Sequence, residues 1–122
     1  MKVSDLRKRL SALLATELGT YTNGLPSIWV YGSSSQPPSA SNGLECLIKE
    51  VPSVAAKVVS SGSKYKPQQW EILLRNWTKN SNLPIALNKI ETGFIVLRYT
   101  HIPATSDVLE QARIFIFDPV VI

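Results

Sequence analysis

Gln68-Gln69-Trp70-Glu71-Ile72-Leu73-Leu74-Arg75-Asn76-Trp77 is the stretch on which the fold turns. Its side chains alternate: Trp70, Ile72 and Leu74 fall on one side, Glu71, Leu73 and Arg75 on the other. A period of two belongs to a β-strand, not a helix. One side is wholly apolar and the other mixed, which predicts a half-buried central position in a sheet. Leu44 to Val51 repeats the pattern, with Leu44, Cys46 and Ile48 opposite Glu45 and Lys49, so Cys46 is expected to pack in the core. Ala112 to Asp118 repeats it again, Ala112, Ile114 and Ile116 alternating with Arg113, Phe115 and Phe117. Large apolar groups on both sides of this last strand predict that it is covered on both. Ile28-Trp29-Val30-Tyr31 and Phe94 to His101 add two strands from β-branched and aromatic residues.

The apolar side of such a sheet needs a cover, and two amphipathic stretches offer one. Leu6, Leu10, Leu13, Leu14 and Leu18 recur at three-and-four spacing and predict a helix over 4–18. Ser4 is its expected N-cap, Asp5 suits the positive end of the helix, and Gly19 is expected to take a left-handed closing position. Arg7, Lys8 and Arg9 crowd cations into the first turns, where the helix dipole disfavours them. They form either a solvated face or a surface for an acidic partner. Asn80-Ser81-Asn82 leads into a second helix with Pro84 in its first turn, a buried stripe of Leu83, Ala86, Leu87 and Ile90, and Gly93 at its end. The order α-β-β-β-α-β-β predicts an α+β fold, a mainly antiparallel sheet with two helices on one face, in a single domain over 1–122. Two segments stand outside this plan. Residues 32–43 read as a polar Gly- and Pro-containing loop that cannot order itself alone. Residues 52–67 read as a projecting β-hairpin, turning at Ser60-Ser61-Gly62-Ser63 and returning through Tyr65.

Apolar residues make up 44% of the chain, enough for a core, whereas charged residues reach only 18%, below the usual quarter for a fully solvated surface. Thirteen Lys and Arg against nine Asp and Glu give +4, mildly basic and short of a dedicated nucleic-acid binder. The start of the chain enters the amphipathic pattern directly, with no apolar stretch of the secretory kind, and no run approaches a membrane span. A soluble protein of a reducing cytoplasm is expected.

The sequence carries no recognisable catalytic constellation. The six glycines never fall as G-x-G, and Leu25-Pro26 follows Gly24 where a phosphate loop needs Lys and Ser or Thr. The single Cys46 with the single His101 provides neither a disulfide nor a zinc set, and a buried Cys46 is a poor nucleophile. His101 with an acid such as Asp107 lacks a nucleophile elbow. Glu45 and Glu71 most simply occupy the outer faces of their strands. No enzyme, cofactor or metal site is expected. Trp29, Tyr31, Tyr65, Trp70 and Trp77 are stacking candidates for a nucleic-acid module. Yet Trp70 and Ile72 read as core, and the cations gather elsewhere, at Arg7–Arg9 and Lys57–Lys66.

The leading amphipathic helix, the Trp29-Val30-Tyr31 strand running into the 32–43 loop, the strand and long hairpin from Leu44 to Tyr65, the strong strand Trp70–Arg75, the short helix over 83–92 and the closing strand Arg113–Asp118 together resemble a bacteriophage tail terminator, one of the minor tail or neck proteins. The resemblance implies a structural virion protein, assembled in the host cytoplasm. It implies a ring of six copies that caps the tail tube and docks it to the head connector, with DNA only in passage through the lumen and no membrane. Its partners would be sibling copies, the tail tube protein and the connector. The interface candidates are Arg7, Lys8 and Arg9 on the first helix and Gln36 and Pro37 on the loop. Val54, Lys57, Val58, Lys64, Tyr65 and Lys66 on the hairpin and Asp107 before the last strand complete the set. A head-completion protein of the adjacent layer and a small basic nucleic-acid-binding module are the alternatives.

Overall fold

Trp70, Ile72 and Leu74 lie in the third of five strands, and everything else is arranged around their apolar face. The computed structural model describes residues 2–31, 36–51, 65–79 and 81–121. In chain order the elements are α1 (Val3–Leu13), β1 (Ile28–Val30), β2 (Leu44–Val51), β3 (Tyr65–Asn76), α2 (Asn82–Gly93), β4 (Ile95–Ile102) and β5 (Glu110–Val121). The strands form one sheet in the order β1-β2-β3-β5-β4. Only β1 and β2 run parallel; the other three pairings are antiparallel. The architecture is the α+β arrangement that the residue pattern predicts.

Register places the core. Cys46 pairs with Leu74 and Ile48 with Ile72 across β2 and β3, while Trp70, Ile72 and Leu74 pair with Ile116, Ile114 and Ala112 of β5. All of these are buried, and Leu6, Leu10 and Leu14 from the first helical segment and Leu83, Ala86 and Ile90 from α2 close over them. Complete burial of a Leu or Ile side chain contributes roughly 1.5–3 kcal/mol, so this single cluster dominates stability. Glu17, just after α1, accepts an ion pair at 2.6 Å from Lys89 of α2. Arg9 donates to the Gly93 carbonyl at 3.2 Å with its guanidinium 4.4 Å from the Phe94 ring. The two helices are thus clamped to each other as well as to the sheet.

Several local expectations are corrected. The first helix begins at Val3 with Lys2 before it and no side-chain cap, so Ser4 is inside the helix. The earlier start lets Val3 pack against the core. The helix stops at Leu13, and Leu18 instead bridges in parallel to Leu44 at the sheet margin. Gly19 is not left-handed; a Cβ there would stand 2.6 Å from the Gly43 nitrogen, so glycine is needed for the approach of two chain segments. The left-handed glycine is Gly24, at φ 82°.

The 32–43 loop is only partly as expected. Its second half is tied to the segment after α1: Thr20 donates to Asn42 Oδ1 at 2.7 Å, Thr22 to Ser39 Oγ at 3.0 Å, and Ser27 and Ser41 share a 2.6 Å hydroxyl contact. Short polar side chains supply these bonds locally, which a composition argument undervalues. The returning arm does run through Tyr65 into β3, while the hairpin over 52–64 lies outside the described residues. Among the described residues the helices pack on the Ile114 and Ile116 side of β5, and Phe115 and Phe117 on the other side are half-buried.

Candidate interaction surfaces

Because both helices lie on one side, the opposite face of the sheet is open among the described residues. Register sets its rows. Trp29, Leu47, Leu73, Arg113 and Thr100 lie across it in one line, and Lys49, Glu71, Phe115 and Arg98 in the next. Arg113 Nε meets Glu71 Oε1 at 2.8 Å, and the Arg98 guanidinium stacks 4.3 Å from the Phe115 ring centre. A shallow depression of about 210 Å³ opens between Tyr31, Lys49, Arg75 and Arg113, with Leu47 and Leu73 among its walls.

One end of this face is closed by a buried carboxylate. Glu45 is 1% exposed; the Tyr21 hydroxyl donates to its Oε2 at 2.8 Å and Trp77 Nε1 donates to Oε1 at 3.0 Å. Arg75 Nη1 lies 4.0 Å from the same Oε1. Burial, and then the Glu45 carboxylate it donates to, push the Tyr21 phenol well above its ordinary value. With donors on both oxygens, this carboxylate anchors the 21–26 segment to β2. The sequence placed Glu45 on the outer side of its strand correctly and missed its burial. The alternation carries no trace of a tyrosine arriving from 24 positions earlier.

The margin of the sheet is the most unusual feature. β4 is an outer strand, and its Ile95, Leu97, Tyr99 and Ile102 are 56%, 49%, 50% and 43% exposed. Pairing with β5 shifts register between Val96 and Arg98, a bulge beside Leu97. Soluble proteins usually blunt such an edge with shortness, charge or proline. Here it runs for eight residues and exposes four large apolar side chains, with Arg98, Thr100 and His101 among them.

The remaining candidates separate. His101 Nε2 lies 3.0 Å from Glu110 Oε2, and Asn76 Nδ2 donates to Glu110 Oε1 at 3.2 Å. The acid beside His101 is therefore Glu110 and not Asp107, whose backbone N–H turns onto Thr105 Oγ1 at 3.4 Å. Cys46 is fully buried with β3 and β5 between it and the strand of His101, roughly 14 Å of sheet. Burial, with Glu45 beside it, pushes its thiol up to about 12, so it stays protonated at neutral pH. No group of three metal-ligating side chains occurs among the described residues. No helix among them is long and apolar enough to cross a membrane.

Of the interface candidates on the first helix, Arg7 donates to the Ile28 carbonyl at 3.4 Å and lies 6.0 Å from the Trp29 ring, and Arg9 is engaged at Gly93. Lys8 is exposed. Internal bonds thus account for two of the three cations without an acidic partner. Gln36 is exposed and Pro37 half-buried. Val54, Lys57, Val58 and Lys64 lie outside the described residues, and Tyr65 and Lys66 begin β3 opposite Val121 and Val120. No protein-family model, curated protein or solved structure matches this chain.

Proposed function

We propose that this chain is a structural subunit of a bacteriophage neck, a tail terminator that closes a ring over the end of the tail tube and presents the docking surface for the head connector. The observation that carries the reading is the β4 edge, unpaired among the described residues, with four large apolar side chains about half exposed along eight residues. Such an edge gains main-chain hydrogen bonds and apolar burial when another chain covers it. A ring requires β4 to meet a different surface of the next copy, because β4 against β4 stops at a dimer. The far margin offers such asymmetry: β1 has three residues against the eight of β4. Work of this kind needs no reacting groups, and it agrees with a buried, protonated Cys46 and a donor-saturated Glu45. Electron microscopy of the purified protein tests the reading. Closed annuli with a central channel are expected; isolated small particles at every concentration, or open filaments, contradict it.

A further inference from the structure

We infer that the open face of the sheet binds single-stranded nucleic acid, with phosphates held by Lys49, Arg98 and Arg113 and a base seated against Tyr31 over Leu47 and Leu73. Charge is the first argument. Four cations, these three and Arg75, stand on the face against two acids. Glu45 is buried beneath Tyr21 and Trp77 with Arg75 4.0 Å away, and Glu71 pairs with Arg113, which leaves two positive charges in excess on the face. The outward field is positive, on a chain of net charge +4.

Shape is the second argument. The depression brings the exposed phenol ring of Tyr31 beside three cations and Glu71, with Leu73 and the largely buried Leu47 beneath, a pairing of stacking surface and phosphate contact that unpaired bases require. A duplex keeps its bases inside and would use the cations alone. Arg98, its guanidinium 4.3 Å from the Phe115 ring centre, brings a further cation together with an aromatic surface. Trp70, by contrast, is in the core and takes no part. An acidic protein would also answer the charge, but it has no need of an exposed aromatic ring beside the cations. The inference stands on this face alone and holds for a monomer or a ring.

Fluorescence anisotropy with a short labelled oligothymidine, titrated across salt concentrations, tests it. Saturable binding is expected, and Lys49→Ala with Arg113→Ala should weaken it about tenfold or more and reduce the salt slope by about 1.4. Tyr31→Ala should weaken it about tenfold with the slope unchanged. Lys2→Ala with Lys8→Ala removes the same charge from the helical side and should leave affinity within about twofold. Equal losses from the two double variants would overturn the inference. So would a matched duplex that binds tighter than the single strand, polyglutamate that competes equally well, or the absence of saturable binding.

Discussion

Tyr21 and Glu45 show how much a single side chain can hold in place. The phenol covers a carboxylate that is otherwise inside the protein, and its ring meets Trp29 edge-on at 6.3 Å. Tyr21→Phe leaves Oε2 of a buried acid without this donor, so it should cost about 1–3 kcal/mol in urea unfolding. Gly19→Ala forces a methyl group against the Gly43 backbone and should cost about 1–3 kcal/mol in the same assay. The Glu17 carboxyl gives a pH signature. Burial works to raise it, but bonds from Lys89 and Thr16 outweigh burial and hold it below its ordinary value. A lowered carboxyl stabilises the fold above the unfolded-state value and loses that contribution as pH falls through the folded one. Lys89→Ala removes the compensation and leaves burial, so the Tm gap between wild type and variant should be wide at neutral pH and narrow on acidification. A gap independent of pH would show that the pair is not the cause.

The elements themselves were legible wherever an apolar period ran uninterrupted. β2 and the buried stripes of α2 and β5 could be read from alternation or three-and-four spacing, because burial on one side imposes that pattern on the residues. What could not be read was decided by distant partners. Leu18 fits the helical period and yet joins the sheet margin, since Gly19 donates to the Leu44 carbonyl at 2.8 Å. Strand alternation shows that Phe115 and Phe117 share a side of β5, but it does not tell what packs over that side. The edge position of β4 was equally hidden, because strand order depends on which neighbours pair and not on what each strand contains. Leu97→Lys with Tyr99→Lys places charge on that edge without entering the core. The variant should remain folded, with stability changed by no more than about 0.5 kcal/mol in thermal melts. A large loss of stability would mean that these side chains are already packed within the monomer.

For the whole molecule, the decisive property is inequality between its two sides and its two margins. Among the described residues helices cover one face and not the other, and one outer strand has eight residues while the other has three. Were copies of such a body to join through unequal margins, the contact would run head to tail, and rotation would either close it or extend it without limit. Closure by six copies, as the resemblance to tail terminators implies, would leave the interface at β4 and a channel at the axis. Native mass spectrometry of the wild-type chain beside the Leu97→Lys, Tyr99→Lys variant tests this most directly. A closed oligomer for the wild type and a monomer for the folded variant is the predicted result. A wild type that stays monomeric, or a variant that keeps the full oligomer mass, would contradict assembly through β4.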